Sequence, residues 1–213
     1  MLRAKTDKEI VNKIGNIKNS FSSTIISWFK NNGRVFPWRD ELSTPYDVPV
    51  SEVMLQRTRA ETVAPVFLIF KEKYRDIYLL SKTSIEDLEL LLHDLGLYKT
   101  RAERLRSIAL LLCEKYNCKI PEDIGVLMSV CGIGQFIANA IACFAYGQKR
   151  PLVDSNIVRI FSRVFGIEPG SNLQGSKKMW KYAEMLLPEK DVKKYSWGLI
   201  DLGSICKPKN PEC

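Results

Sequence analysis

Apolar residues recur at intervals of three and four positions along most of this chain, which is the spacing of an α-helix. Ser84 and Asp87 form a capping pattern before one such stretch, and Thr100 and Glu103 repeat it before the next. Sustained alternation of apolar and polar residues, which would predict strands, is absent from the sequence. The pattern therefore predicts an all-α protein with short loops. Three predicted helices carry these stripes: Leu88, Leu91, Leu92 and Leu95; Leu105, Ile108, Ala109 and Leu112; and Ile157, Val158, Ile160, Phe161, Val164 and Phe165.

The charge of the chain indicates a polyanionic partner. Its 213 residues carry a net charge of +8, and 46% of them are hydrophobic. A basic excess on a folded domain is typical of nucleic-acid binding, although many solvated proteins are simply basic. Residues 1–19 are polar and Lys-rich, and no stretch approaches the roughly 20 apolar residues of a membrane span. We therefore expect a cytoplasmic protein, associated with the nucleoid, or a nuclear one if its source has a nucleus.

The six cysteines divide into two groups. In a cytosolic chain, cysteines are more often buried thiols or metal ligands than disulfides. Four of them lie on or beside apolar helical runs, and we expect them to be small core residues. The other two, Cys206 and Cys213, stand apart from these runs. The four predicted core cysteines are Cys113, Cys118, Cys131 and Cys143.

A short turn from Val130 to Gly134 joins two of the predicted helices. Its glycines, Gly132 and Gly134, permit unusual backbone angles and let a phosphate approach the backbone closely. The amides of Ile133 and Gly134 would lie at the start of the next helix, at Gln135, where unpaired N–H groups favour a DNA phosphate. An ordinary helix–helix turn would have the same local sequence, so the turn by itself leaves both interpretations open.

Three ordered blocks, spanning about residues 20–213, resemble the endonuclease III superfamily of helix-hairpin-helix DNA glycosylases. The turn, followed by an apolar helix and Asp154, resembles the superfamily's hairpin and Gly/Pro/Asp signature. The second block is similar to its adenine-DNA glycosylase branch and to the related thymine-DNA mismatch glycosylases, and the third to the start of their iron–sulfur loop. The three blocks are Val130–Gly166, with Pro151-Leu-Val-Asp154-Ser-Asn-Ile-Val-Arg159 inside it; Phe36-Pro-Trp-Arg39 to Ser51-Glu-Val-Met-Leu-Gln-Arg-Thr58; and Trp197-Gly-Leu-Ile-Asp201 to Cys206-Lys-Pro-Lys-Asn-Pro-Glu-Cys213.

The resemblance implies two helical domains with double-stranded DNA bound in a cleft between them. Residues 40–150 would form a six-helix barrel domain with its hairpin at about 130–135. Residues 1–39 and 151–213 would form the second domain, which carries the start of the iron–sulfur loop. We expect the protein to flip one base out of the duplex and to act as a monomer.

The resemblance also implies that Glu52 and Asp154 are catalytic. Cleavage of a glycosidic bond passes through a cationic sugar, and two carboxyl groups can divide the work of activating the leaving group and stabilising that cation. Glu52 would protonate or hydrogen-bond the departing base, and ionised Asp154 would stabilise the sugar. Without the resemblance, Asp154 is simply the expected N-cap of the helix that follows it, and Glu52 could be a surface residue.

Several further side chains match positions that contact DNA in the family. Trp38, Arg39 and Asp201 match the base pocket, with a core, a solvated and a salt-bridged residue as the respective alternatives. Gln56 matches a side chain that fills the space left by the flipped base, unless it is merely solvated. Phe136 stands where bifunctional members carry a Lys nucleophile, which predicts a monofunctional enzyme. The Phe136 ring could stack in the pocket or belong to the core.

Cofactor and substrate remain open at this stage. Cys206 and Cys213 match the first two ligands of the family's 4Fe-4S cluster, but two cysteines cannot hold it. We expect that the sequence ends within the loop, that the cluster has been lost, or that both are free thiols. We favour thymine or uracil opposite guanine as the substrate over adenine opposite oxidised guanine. A non-catalytic DNA-binding module and a bifunctional glycosylase/lyase are the rival classes.

Overall fold

The computed structural model describes residues 6–40, 43–167 and 176–206. Within these ranges the chain is helical and contains no strand, so the all-α prediction is confirmed. Two 3₁₀ turns, Pro37–Arg39 and His93–Leu95, and one π-helical turn, Ile141–Ala145, accompany the α-helices. In chain order the α-helices are α1 (Asp7–Asn32), α2 (Asp47–Leu55), α3 (Ala60–Lys73), α4 (Ile77–Lys82), α5 (Ile85–Leu92), α6 (Tyr98–Tyr116), α7 (Ile124–Ser129), α8 (Gln135–Ala140), α9 (Ser155–Phe165), α10 (Lys177–Met185) and α11 (Val192–Ile205).

The predicted caps agree with the structure at one helix and differ from it at another. Ser84 is the N-cap of α5 and accepts a hydrogen bond from the Asp87 amide, as predicted. Thr100, in contrast, lies inside the first turn of α6, whose N-cap is Leu97. The chain turns at Gly96, with a φ of +68°, and this turn starts the helix before Thr100 is reached. For the part of the chain that the structure describes, no helix is long and apolar enough to cross a membrane.

The chain divides into two compact units. The first comprises Met1–Arg34 and Gly147–Cys213, and the second comprises Val35–Tyr146. The domain boundaries predicted after residues 39 and 150 lie a few positions further along the chain. The second unit carries the hairpin, and the first carries both ends of the chain.

In the second unit, α6 is the central helix. It packs against α2, α4 and α5, and its apolar stripe is buried, with Leu112 fully so. Helix α2 packs in turn against α3 and α8. In the first unit, α11 packs against α1 and α9. There Phe21 contacts Phe161, Phe165 and Tyr195 edge to face, with ring centroids 6.3, 5.4 and 6.4 Å away. Each unit therefore has its own apolar core.

Three of the four predicted core cysteines lie elsewhere. Cys113 and Cys118 are half-buried and form a disulfide with each other. Asn117 and Cys118 both have a positive φ after the end of α6, and this turn brings Cys118 back to the helix. Cys131 is exposed because it lies at the tip of the hairpin, and Cys143 is buried as predicted. Helical spacing identifies a buried face but not where a helix ends, which accounts for these errors.

Candidate functional site

Glu52 lies on α2, a helix most of whose residues are buried. It is half-buried between the buried residues Ser51 and Val53. The helix is held by α3, α6 and α8. Because the Cα–Cβ direction follows the helix backbone, this packing fixes where the Glu52 side chain leaves α2. A carboxyl group that transfers a proton requires such fixed geometry.

Asp154 is the N-cap of α9, as its local sequence predicts. Its Oδ1 accepts a hydrogen bond of 2.8 Å from the backbone N–H of Ile157. Asn156 donates from its side-chain amide to Oδ2, also at 2.8 Å. Burial raises the pKa of the Asp154 carboxyl above its ordinary value, while these hydrogen bonds and the nearby charge of Arg159 oppose the rise. The cap thus orients a carboxylate whose charge is costly to keep in the folded protein.

Asn156 is itself held in place by α11. Its Oδ1 accepts a hydrogen bond of 3.0 Å from Nη1 of Arg159, and the same nitrogen donates to the carbonyl of Gly203 at 2.6 Å. A β-carbon at Gly203 would lie 2.6 Å from the Asn156 β-carbon, which is too close for any side chain. The packing of α9 on α11 therefore positions Asn156, and Asn156 positions Asp154.

The two glycines of the hairpin between α7 and α8 differ in whether the structure could accommodate a side chain. Gly132 has a φ of +91°, and a β-carbon there would lie 3.1 Å from Ile108 and 3.2 Å from Arg104. Gly134 has a φ of −85°, is exposed, and has no atom within 4 Å of the position of a β-carbon. Packing within the unit thus requires glycine at 132 but not at 134. The absence of a side chain at Gly134 leaves its backbone open to an external group.

The amides of the hairpin differ in whether they already donate inside the turn. The N–H of Ile133 donates to the carbonyl of Val130 at 2.9 Å, and the Ile133 side chain is buried. That amide already donates inside the turn, and its contact with a phosphate stays a prediction. The N–H of Gly134 has no acceptor in the described residues, and Gln135, the first residue of α8, is exposed. The open donors of the hairpin therefore begin at Gly134.

Gln56 follows the last residue of α2, and its side chain is exposed. Its Oε1 accepts a hydrogen bond of 2.9 Å from Nη1 of Arg104, which lies on α6. The Nε of the same guanidinium donates to the carbonyl of Gly132 at 2.7 Å. One side chain thus joins Gln56 to the hairpin. Arg104 has no signal in the sequence, because its partners lie 48 and 28 residues away along the chain.

A second arginine on α6, Arg101, holds the turn after α2 against the turn before α6. Its guanidinium is buried among backbone carbonyls and one hydroxyl, and this burial lowers its pKa. Leu97, between these turns, has a φ of 49° and a side chain that is 54% exposed. The acceptors of Arg101 are the carbonyls of Val53, Gln56, Leu95 and Gly96 and the hydroxyl of Thr58.

Trp38 lies in the core of its unit, as the alternative interpretation expected. Its ring stacks on Phe36, with centroids 4.9 Å apart, and meets the ring of Phe67 at 5.4 Å. The guanidinium of Arg39 lies over the ring of Phe36, 5.2 Å from its centroid. Only 8% of Trp38 is exposed, so its contact with a base stays a prediction.

Asp201 is fully buried in an ion pair with Arg34 at the end of α1. Its Oδ1 accepts from Nε and Nη2 of Arg34, at 2.9 and 2.8 Å, and its Oδ2 accepts from the Arg34 amide at 2.9 Å. This geometry is that of the salt-bridged alternative. A direct approach of Asp201 to a base stays a prediction, and its carboxylate already has a structural partner.

Phe136 and the cysteine pair complete the predicted positions. Phe136 is the second residue of α8 and is half-buried. Cys206 is buried at the end of α11 and is disulfide-bonded, and Cys213 lies outside the described residues. In its disulfide Cys206 has no thiolate to offer, and in the ranges that the structure describes no group of three or more His, Cys, Asp or Glu could hold a metal. Among the described residues, Cys206 is the one predicted ligand, and the 4Fe-4S cluster stays a prediction.

The comparisons with known proteins agree with the sequence blocks. The family described as HhH-GPD superfamily base excision DNA repair protein matches residues 50–185. A thymine/uracil-DNA glycosylase of Methanothermobacter thermautotrophicus is 31% identical over 91% of this chain and 87% of its own length. An adenine DNA glycosylase of Buchnera aphidicola subsp. Schizaphis graminum is 33% identical over 91% of this chain, which spans 56% of that relative.

The fold agrees as well. A solved structure of a thermostable thymine-DNA glycosylase superposes with a TM-score of 0.86 at 30% identity, over 93% of this chain and 92% of that one. Sequence and fold thus lead to the same family over most of the chain, and the resemblance found from the three blocks is confirmed. This chain is a DNA glycosylase of the HhH-GPD superfamily of base excision DNA repair proteins.

Proposed function

We propose that this DNA glycosylase is monofunctional and removes thymine or uracil opposite guanine from double-stranded DNA. The observation that carries the choice of base is the close superposition, at 30% identity, on nearly all of a thymine-DNA glycosylase. The stretches 56–58, 153–159 and 198–201 also look closer to that branch than to the adenine branch. The protein would act as a monomer wherever the DNA of the cell lies, in the nucleoid or the nucleus.

Glu52 and Asp154 would divide the chemistry of base removal. The bond between C1′ of the sugar and the base breaks, and its electron pair leaves with the base. Glu52 donates a proton to the departing base, and the carboxylate formed in this way then accepts a proton from the water that attacks C1′. Ionised Asp154 stabilises the positive charge that develops on the sugar. The hydrogen bonds of Asp154 to Ile157 and Asn156 support this role, since they orient its carboxylate before substrate binds.

Phe136 supports the monofunctional assignment. A lyase needs an amine that attacks C1′ and forms a Schiff base. The ring of Phe136 has no nucleophile, and its half-buried place in the first turn of α8 would let it stack on a flipped base. The resemblance implies that Trp38, Arg39 and Asp201 also contact the flipped base.

DNA binding would use the hairpin and the loop after α2. The open backbone at Gly134 and the exposed start of α8 at Gln135 favour a phosphate, and the net charge of +8 favours a polyanion. Gln56 would enter the space left by the flipped base. Such phosphate contacts predict a steep loss of affinity as salt rises, because bound counterions are released.

The deciding experiment uses end-labelled duplexes that carry one G·T, G·U, A·G or A·8-oxoguanine pair. Strands are resolved with and without hot alkali, beside the Glu52→Gln variant and the control Glu114→Gln, an exposed residue on α6. We expect alkali-dependent cleavage at T or U, lost in Glu52→Gln and kept in the control. Cleavage without alkali, or a covalent adduct trapped by borohydride, would show a lyase. Equal activity of Glu52→Gln would contradict the catalytic role of Glu52.

Adenine opposite 8-oxoguanine is the second candidate substrate. It is favoured by the 33% identity to an adenine DNA glycosylase, which is as high as that to the thymine/uracil enzyme. Cleavage at adenine in the same panel of duplexes would establish it and overturn the thymine/uracil assignment.

A further inference from the structure

We propose that Arg104 is a positioning residue that sets the orientation of the Gln56 amide and ties it to the hairpin at Gly132. The inference rests on the proposed function in one respect, that Gln56 enters the DNA. Nothing in the local sequence around Arg104 singles it out, and the assignment comes from its two contacts alone.

The first contact fixes which end of the Gln56 amide faces outward. A guanidinium can only donate hydrogen bonds, so the atom of Gln56 that meets Nη1 of Arg104 must be the carbonyl oxygen. The side-chain NH₂ therefore points away from Arg104. Gln56 is exposed, and so it presents two N–H donors to whatever occupies the space beyond it. These donors would recognise a hydrogen-bond acceptor on the base that stays in the duplex after its partner has flipped out.

The second contact fixes Arg104 itself. Its Nε donates to the Gly132 carbonyl at 2.7 Å, and its Cγ would lie 3.2 Å from a β-carbon at Gly132. The stem of Arg104 thus packs against the turn, and the residue as a whole is half-buried. Because the guanidinium is planar, its Nε and Nη1 donors have fixed relative directions, which a lysine could not reproduce. A displacement of the hairpin by a bound phosphate would therefore move the group that holds Gln56.

The expected consequence is preorganisation. A free glutamine on the surface loses side-chain freedom when it inserts into DNA, and this loss weakens the flipped complex. Arg104 restricts Gln56 beforehand, so base flipping in the wild-type protein costs less. The effect should appear in the flipping equilibrium rather than in the affinity for undamaged duplex.

A double-mutant cycle tests this with 2-aminopurine beside the mismatched thymine, whose fluorescence rises when the thymine leaves the stack. The variants are Gln56→Ala, Arg104→Ala, their combination, and Arg104→Lys. The control is Arg106→Ala, on the same helix, whose Nε donates to the Thr83 carbonyl at 2.9 Å. We expect Arg104→Ala to lower the flipping equilibrium about fivefold to tenfold, with less than about a twofold further effect when Gln56 is already alanine. Arg104→Lys should restore little, and Arg106→Ala should flip as wild type does.

Each outcome decides a different statement. Additive effects of Gln56→Ala and Arg104→Ala on the flipping equilibrium would overturn the positioning role. Flipping by Arg104→Lys at the wild-type level would do the same. If Arg104→Ala and Arg106→Ala both lowered the flipping equilibrium, in proportion to a fall in melting temperature, the role of Arg104 would be structural only. No effect of Gln56→Ala would remove the insertion role of Gln56 and with it this inference. If the Gln56 and Arg104 variants were coupled in flipping but the wild-type protein cut none of the duplexes, the positioning role would stand and the proposed function would be overturned.

Discussion

Asn156 donates a 2.8 Å hydrogen bond to Oδ2 of Asp154, and this links the proposed catalytic carboxylate to a helix that begins almost forty residues later. The link continues through Arg159 to the carbonyl of Gly203 on α11. The sequence identifies Asp154 as a cap and, by resemblance, as a catalytic group. Its orientation depends on residues that have no catalytic signature of their own.

Asp154→Asn and Asp154→Ala should separate catalysis from capping. Asparagine caps a helix as well as aspartate, whereas alanine loses the hydrogen bond to the Ile157 amide. Both variants should lose excision by at least about 100-fold, because both lack the charge that stabilises the sugar cation. The asparagine variant should be about 1 kcal/mol more stable than the alanine variant in urea unfolding. Excision near the wild-type rate by either variant would contradict the catalytic assignment.

The raised pKa of Asp154 predicts the direction of two pH effects. Activity needs the ionised carboxylate, so single-turnover excision should fall, as the pH is lowered, at a higher pH than an ordinary aspartate would give. The contribution to stability has the opposite sign. The folded state takes up its proton before the unfolded state does, so this group makes the fold more stable as pH falls through the folded pKa.

Asn156→Leu provides the matched variant for this pH profile. It removes a hydrogen bond that lowers the pKa of Asp154 and keeps a similar volume. The acid limb of the rate profile should therefore move to higher pH. An unchanged limb with a uniformly lower rate would mean that the limb reports another group.

Gly134→Ala and Gly132→Ala should have different effects. Alanine at 134 meets no atom of the protein, so its melting temperature should stay within about 2 °C of wild type. Its methyl group would face the proposed phosphate, and the dissociation constant for duplex DNA should rise about tenfold. Alanine at 132 has to adopt a positive φ and press on Ile108, so it should lose about 1–3 kcal/mol of folding free energy. Unaltered binding by Gly134→Ala would argue against a phosphate at that position.

Gly203→Ala should damage both stability and turnover. The added methyl group would lie within 3 Å of Asn156, which overpacks the junction of α9 and α11 by about 1–3 kcal/mol and displaces the residue that holds Asp154. Gly15→Ala, on α1, is the matched control, since its β-carbon would meet nothing. The control should stabilise the helix by about 0.5–1 kcal/mol and leave excision unchanged. A Gly203→Ala protein with wild-type turnover would show that the α11 contact is not needed.

Asp201→Asn tests whether that residue acts on the fold or on the base. The variant removes the negative charge that pairs with the partly exposed guanidinium of Arg34, which should cost about 1–3 kcal/mol of folding free energy. The excision rate of the folded fraction should be unchanged at a temperature well below melting. A loss of rate with unaltered stability would favour the base-contact role that the family resemblance implies.

Local patterns along the sequence determined the helical class, the cap at Ser84, the position of Asp154 at the start of α9, and the family. These features depend on residues within a few positions of one another, or on ordered blocks of residue identity. Helix ends were less well determined, since the position of the Thr100 pattern and the places of Cys113, Cys118 and Cys131 depend on turns with positive φ. Such turns are selected by the packing on either side of them.

Only the tertiary structure decided which polar groups meet. Arg104 reaches Gln56 and Gly132, Asp201 pairs with Arg34, and Asn156 packs on Gly203, over separations of 28 to 167 residues. It also showed that the Ile133 amide is used inside the turn while Gly134 is open. A hydrogen bond depends on distances of a few tenths of an ångström, and these are set by how whole helices pack. The sequence around each partner carries no record of that packing, so residue type alone could not assign these contacts.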